Sequence, residues 1–467
     1  MDGVMNQTLD GVARRLREQL DEINSQILWD VISAHGAERR LAEDIWRRYR
    51  IKPAKSMHEG PGVRILAREP ISDSDPNQRL PHAFERKIVK NKRGYMRGVT
   101  IGTEQEEAAD AVQEWLQREN IPRLIGTTIA RAALFGRAYW LLFIGRDDNR
   151  VRVRLSEPFE TVVIRDEAGD VQYAFRYWDM EVVDQDGNRQ SRKHIEAYDR
   201  LRLRKYTEDE RGMFRLDEDG DAPHFFTEVP VIEFKNDDEA IGHIEPVMPL
   251  IDAYNIAVSD FSSEVTAMRL AYLVQEIREG YTEPSDIDEE FVETLQKTGI
   301  LQGSWRFLEK NIQDAAIQNL ITMLRKSIYE FADSYDPDEM AEGDPTAFQI
   351  AQKLKSLEDA AVDTEEQFTE AIGNVFRVAS TFWSPQGLSI DPGQITQSYP
   401  RNIPRNRDNE VKTIVSGGGR ISNRTLLETS SIIEDVDQEI ERLEEEEESR
   451  PPSIMDDERD EEQIPED

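Results

Sequence analysis

The residues best placed to do chemistry in this chain are carboxylates. Residues 333–345, DSYDPDEMAEGDP, hold six acids (Asp333, Asp336, Asp338, Glu339, Glu342, Asp344) and no base, and DIDEE at 286–290 repeats the crowding. Clustered carboxylates can hold two divalent cations for phosphodiester cleavage. Such a site draws its ligands from separated elements of a rigid scaffold, whereas these acids are sequence neighbours on expected loops. In a chain with 94 acids, neighbours of this kind arise by chance, and solvated loops are the plainer reading. The six histidines (35, 58, 82, 194, 224, 243) lie far apart with no H-x-x-x-H or H-E-x-x-H spacing, so none is expected to bind a metal. SGGGR at 416–420 lacks the Lys and following helix of a phosphate cradle, and no G-x-x-x-x-G-K-[ST] occurs, which argues against a P-loop ATPase. The chain has no Cys, which rules out thiol nucleophiles, disulfides and Cys-ligated zinc or iron–sulfur sites. No G-x-S-x-G elbow is present. The expectation is a non-enzyme with no cofactor and no metal.

The elements around the acidic loop explain why it stands out. Two Pro and one Gly within it forbid continuous helix there, yet both flanks read as long helix. Residues 245–275 form one periodic run carrying Val247, Ile251, Tyr254, Val258, Phe261, Val265, Met268 and Tyr272. A second helix is expected over 312–333, with Ile312, Ala316, Leu320, Leu324, Ile328 and Phe331 on its stripe. A third starts from Asp344 as N-cap and Pro345 at the first helical position, and carries Leu354, Leu357, Ala361, Phe368, Ile372, Val375 and Ala379 on one face. Between the first two helices, residues 278–311 hold short elements punctuated by Gly280, Pro284, Gly299 and Gly303.

Upstream, residues 7–33 read as helix, with HGA (35–37) breaking it before ERRLAEDIWRRYR resumes. Residues 53–80 read as loop. Thr103 with Glu106 gives a capping-box signal, and another helix follows Pro122. From Ala138 the period changes to two. AYWLLFIG, a RDDN turn and RVRVRL read as a hairpin, and AGD and DGN turns repeat the device to about residue 235. The fold class expected is α+β: mainly helical over 1–135, antiparallel β over 138–235, then long helices.

At 467 residues the chain is too long for one core. The nearest approach to an apolar span, residues 129–145, carries Arg131 and Arg137, so no transmembrane segment is expected, and the N-terminus lacks the apolar core of a signal peptide. Acids outnumber bases 94 to 58, a formal −36, and only 14 of the bases are Lys. Such a balance suits a halophilic host, whose salt screens self-repulsion. A GC-rich genome plus an acidic tail is the plainer alternative, and both stay open. Residues 434–467 alone carry a net −15. This surface disfavours a sequence-reading DNA binder.

Four blocks, in order, carry a family resemblance. HAFERKIVKNKRGYMRG (82–98) sets Ile-Val and bases before Gly-Tyr-x-x-Gly. ARAALFGRAYWLLF (130–143) runs a small-residue helix through Gly-Arg-Ala-Tyr into a strand. VPVIEFKNDDEAIGHIEPVMPLIDAYNIAVSDFSSEV (229–265) joins Pro-Val-x-x-Phe-x-Asn to Leu-Ile-Asp-Ala-Tyr-Asn. RISNRTLLETSSIIEDVDQEIERLEEE (420–446) sets Ile-Ser-x-x-Thr-Leu-Leu before an acidic helix. Together they resemble the portal (head-to-tail connector) proteins of tailed, siphovirus-like viruses.

The resemblance implies the portal fold. Long stem and wing helices would combine with an antiparallel β wing region, a small α/β clip and a helical crown, assembled as a ring. It places a wing over 1–240 and 347–403, stem helices over 241–275 and 312–333, a clip over 276–311, a tunnel loop over 334–346, a crown over 404–449 and a disordered acidic tail over 450–467. Asp336, Pro337, Asp338, Glu339, Met340, Glu342, Gly343 and Asp344 would then face a DNA channel. Arg278, Glu279, Tyr281, Asp286, Asp288, Glu289 and Glu290 would face terminase and the later tail adaptor. The implied partners are eleven further copies of the chain, double-stranded DNA sliding non-specifically, terminase, major capsid and scaffold protein, and a head–tail adaptor, with no membrane. The implied location is a capsid vertex of a virion assembled in the host cytoplasm. On this reading the loop is acidic because Lys or Arg would grip phosphates and resist translocation; salt adaptation of every exposed loop is the counter-reading. A non-portal virion scaffold and an acidic metal-dependent nuclease are the rival functions.

Overall fold

The computed structural model describes residues 9–18, 23–51, 77–183, 189–268, 272–276, 304–308, 314–341, 347–402 and 440. Helices α1 (Leu9–Glu18) and α2 (Ser25–Tyr49) open the chain. Asn24 caps α2, its Oδ1 accepting from the Ile27 N–H at 3.0 Å, one of the donors a helix start leaves unpaired. The break expected at His35-Gly36-Ala37 is absent. His35 is buried and its Nδ1 lies 2.8 Å from the Tyr177 hydroxyl, a contact that offsets the roughly 1 kcal/mol Gly36 costs a helix interior.

Helix α3 (Phe84–Met96) is followed by β1 (Thr100–Thr103), α4 (Glu106–Arg118) and α5 (Ile121–Phe135). The capping box expected from Thr103 does not form. Thr103 closes β1, and α4 starts after Gln105 with no side-chain cap. The reason is tertiary: β1 pairs antiparallel with β12 (Ile395–Ser398), Thr103 opposite Ile395, and the Thr103 Oγ1 accepts from the Gln105 N–H at 3.2 Å.

The expected hairpin is β2 (Arg137–Ile144) with β3 (Val151–Ser156). Strand β9 (Val231–Lys235) adds to the other edge of β2, giving the order β3-β2-β9. A five-stranded antiparallel meander follows in sequence order: β4 (Thr161–Arg165), β5 (Val171–Val183), β6 (Arg189–Tyr198), β7 (Arg202–Glu208) and β8 (Phe214–Pro223). Tyr173, Phe175 and Tyr177, alternating along β5, pack with Ile195 and Tyr206 against Val12, Leu16, Leu28 and Val31 of the first two helices, as a period of two requires of a half-buried sheet.

Gly136 ends α5 at φ +85°, and a Cβ there would lie 1.8 Å from the Ala240 carbonyl oxygen; one on Gly242 would lie 2.6 Å from the Leu134 oxygen. These two glycines let the turn after β9 lie against the end of α5. Asn236 fastens that turn, its side chain donating to the Ile241 carbonyl at 3.0 Å.

After a 3₁₀ turn (Glu245–Val247), α6 runs Met248–Met268. It ends before the expected residue 275, because Tyr272–Glu276 forms strand β10, paired antiparallel with β11 (Ser304–Leu308). Tyr272 looked helical because a short apolar run cannot by itself separate helix from strand. Helix α7 spans Asp314–Phe331, and a short α8 spans Pro337–Ala341. The third long helix, expected as one piece, is two: α9 (Ala347–Lys353) and α10 (Lys355–Trp383), with Leu354 between them. Every residue of the expected stripe from Leu354 to Ala379 is buried. Phe368 meets Phe234 of β9 at 5.1 Å between ring centroids, and Trp383 meets Trp115 of α4 at 5.4 Å.

A buried ion triad ties α2, α3 and α6. The Arg48 guanidinium lies 3.3 Å from Glu85 and 2.6 Å from Asp252, with Arg48 and Glu85 almost wholly withdrawn from solvent. The chain divides into two compact units, residues 1–340 with 354–402, and 341–353 with 403–467. Helix α9 belongs to the second, and everything else above except the last residue of α8 to the first. Among the described residues no helix is long and apolar enough to cross a membrane.

Candidate functional site

The acidic loop begins where α7 stops. Asp333 adopts φ +45°, and the Ser334 N–H bonds the Tyr329 carbonyl at 3.0 Å. This is the helix-ending arrangement that usually takes Gly and tolerates Asp or Asn. Side chains from elsewhere then hold each residue in turn. The buried His243 imidazole faces the Ala332 carbonyl. The buried Lys92 ammonium of α3 is drawn toward Asp333. Asn91, also buried, donates to the Ser334 Oγ at 3.0 Å and the Tyr335 carbonyl at 2.9 Å. Arg325, less than two turns before the end of α7, contacts the Asp336 carboxylate at 2.6 Å and also pairs with Asp338.

Asp336 does two jobs: besides holding Arg325, its Oδ1 accepts from the Asp338 N–H at 3.1 Å. It therefore caps α8, with Pro337 at the first helical position, where a missing N–H costs nothing. Burial, then the Asp336 charge, push the Tyr329 phenol up to about 12. Burial lowers Lys92 to about 7 and His243 to about 3. Among the described residues neither the Lys92 Nζ nor the His243 Nε2 has a hydrogen-bond partner.

Of the loop residues picked out from sequence, Asp336 is 8 % exposed and Pro337 half-buried, while Asp338 and Glu339 are exposed. Met340 lies in α8, and Glu342, Gly343 and Asp344 fall outside the described residues. The second set (Arg278, Glu279, Tyr281, Asp286, Asp288, Glu289, Glu290) also falls outside them. Its frame is visible, since the chain leaves at Glu276 and returns at Ser304 directly opposite it. The residues that hold the loop base (Asn91, Lys92, His243, Arg325) were not singled out by sequence reasoning. The available signal was a Lys and an Asn between apolar neighbours in IVKNK.

The segment before α3, read as loop to residue 80, is strapped along α6. The N–H groups of Gln78, Leu80 and His82 donate to the side chains of Ser263, Ser259 and Asn255 at 2.9, 3.0 and 2.9 Å. Four helical residues advance about 6 Å and two extended residues about 6.6 Å, so alternate amides meet every fourth helical side chain.

Among the described residues no group of three or more His, Asp or Glu side chains could hold a metal ion. A cleft of about 1050 Å³ opens beside β9 and α10. Its charged walls neutralise each other, Arg165 against Glu233 at 2.5 Å and Arg204 against Asp199 at 2.7 Å.

Residues 34–452 match the family described as phage portal protein, SPP1 Gp6-like. The chain belongs to this family. The portal protein of Bacillus phage SPP1 is 21 % identical over 410 residues, 80 % of this chain and 77 % of that one. Similar solved structures include the neck of an empty gene transfer agent particle computed with C6 symmetry. It is 12 % identical, covers 74 % of this chain and 88 % of that one, and has a TM-score of 0.44. The neck of the native particle computed with C12 symmetry is another, at 14 % identity, 73 % and 87 % coverage and a TM-score of 0.38. In this portal-family chain the quoted blocks have structural work. Asn91 and Lys92 hold the loop base, Gly136 admits the turn after β9, and Asp252 and Asn255 bind Arg48 and the strap.

Proposed function

We propose that this portal protein forms a ring of twelve copies at one capsid vertex, the channel through which DNA enters during packaging and leaves on ejection. The family match across residues 34–452 carries this reading. In it, α6 and α7 are the stem helices, the segment framed by β10 and β11 is the clip that docks terminase and later the tail adaptor, and the acidic loop lines the channel. The same ring nucleates head assembly with capsid and scaffold protein in the host cytoplasm, and ATP hydrolysis belongs to the terminase.

Two features support it. Leu320, Met323 and Phe331, at 43, 58 and 62 % exposure, lie along one face of α7, the kind of apolar row that a monomer rarely leaves in water and that a neighbouring stem would cover. The loop base is held residue by residue from 332 to 336, as a segment kept at a fixed height in a channel must be. The exposed acids Asp338 and Glu339 would touch a passing duplex without gripping its phosphates.

Electron microscopy of the purified protein in molar and in low salt tests the proposal. End-on rings with an axial hole and about twelve-fold symmetry are expected. Filaments or compact particles without a hole would overturn it.

A further inference from the structure

Helix α3 is amphipathic in charge. Its inner face buries Ile88, Asn91, Lys92 and Tyr95, while Arg86, Lys87, Lys90, Arg93 and Arg97 are all exposed. Residues 86, 90 and 93 follow a 4-3 spacing, which keeps them in one row on the helix, and Arg97 follows just past the helix end, at φ +43°. Among the described residues none of the five makes an ion pair, although most other arginines of the fold do, as Arg39, Arg131, Arg176 and Arg401 illustrate. Arg86 leans on the Tyr49 ring at 5.7 Å, and Arg93 lies along α5, where a Cβ on Gly126 would sit 3.7 Å from its guanidinium. An uncompensated basic row is unexpected on a chain of formal charge −36 unless something acidic covers it.

Helix α10 carries the counterpart. Asp359, Asp363, Glu366 and Glu370 are exposed and follow a 4-3-4 spacing. Among the described residues only Asp359 has an ion-pair partner, Lys355 at 3.3 Å on the same exposed helix face. Within one chain the two rows do not pair. At 1.5 Å per residue the acidic row, 359 to 370, spans about 16.5 Å and the helical part of the basic row, 86 to 93, about 10.5 Å, so three basic rungs can face three acidic ones in either helix direction, with Arg97 beyond the helix end.

We infer that the α3 basic row of one copy docks on the α10 acidic row of the next, a head-to-tail contact that repeats around the ring. This rests on the ring reading above and supplies an interface for it. Using different patches on the two partners is what closes a cyclic assembly, where a two-fold contact would stop at a dimer. A second copy fits the row better than DNA does, because a duplex approaching this chain meets a strong net negative field, whereas the neighbour brings an acidic row whose helical spacing matches that of Arg86, Lys90 and Arg93.

The test is a charge swap in the full-length chain, read by light scattering and native mass spectrometry at about 0.1 M salt. One variant carries Lys90→Glu, Arg93→Glu and Arg97→Glu. The other carries Asp359→Lys, Glu366→Lys and Glu370→Lys, sparing Asp363 because it also feels Lys92. Each variant alone is expected to stay monomeric where the wild type assembles, and a 1:1 mixture to assemble with the two alternating. Wild-type assembly should also weaken as salt screens the rows. Melting temperatures within a few degrees of wild type show that the variants fold. Rings from either variant alone overturn the inference while leaving the portal reading intact. So does loss only of wild-type binding to a labelled 30-base-pair duplex, which makes the row a DNA contact. A wild type that is monomeric at every salt overturns both.

Discussion

Buried charge is where single residues matter most. Arg48 stands between Glu85 and Asp252, and burial pushes the Glu85 carboxyl up while Arg48 holds it down. Arg48→Ala would strand that carboxylate, and removing one member of a buried pair typically costs about 3–5 kcal/mol. Urea denaturation should show a loss of that size, and a change under 1 kcal/mol would mean that Glu85 finds another partner or a proton. The buried histidines set the acid limit. Burial, then Arg39, lowers His35 to about 4, and burial, then Lys92, lowers His243 to about 3. Both are neutral in the fold and bind protons near 6.5 once unfolded. The unfolded state therefore gains protons first as pH falls, and stability present above 6.5 is lost progressively toward 4. His35 alone accounts for on the order of 3 kcal/mol of that loss. Stability should already fall between pH 6.5 and 5, ahead of most carboxylates, and His243→Gln should flatten the fall. An unchanged slope would refute the assignment.

At the scale of elements, the strap on α6 and the held loop base show how the long helices are kept in place. The strap uses backbone donors that a loop would otherwise offer to water, and each hydrogen bond contributes about 0.5–1.5 kcal/mol net. Asn255→Ala with Ser259→Ala should speed hydrogen exchange at Leu80 and His82 by roughly ten-fold or more. Protection left unchanged would show that the segment is held by other contacts. Such contacts were hard to read in advance: 53–80 is polar and Pro-bearing, and an extended segment bonded to a helix has no periodicity of its own. The start of α6 and both ends of α7 were legible to within a few residues, because apolar residues every three or four positions demand one buried face, whereas α6 stops seven residues short of the expected 275. The break expected at HGA is a place where a tertiary contact, His35 with Tyr177, outweighed local propensity, and the break at Leu354 was not read from the sequence.

For the whole molecule, length and charge forecast several units and a crowded acidic surface. They could not forecast where the few unpaired bases would gather. Sequence alone determined the α+β class, the hairpins from residue 138, the buried stripe of α10, and the family, through four blocks whose order is as informative as their content. Side-chain period and turn residues are local properties, and the chain carries them wherever it goes. Only the tertiary structure decided that β1 pairs with β12 and that Tyr272 is strand. Only it showed that Asp336 is tied to Arg325 instead of standing free, and that Lys92 points inward while the other basic residues of α3 point out. Each of these depends on which distant residue supplies the opposing charge, amide or apolar face, and that partner is absent from any short stretch of sequence.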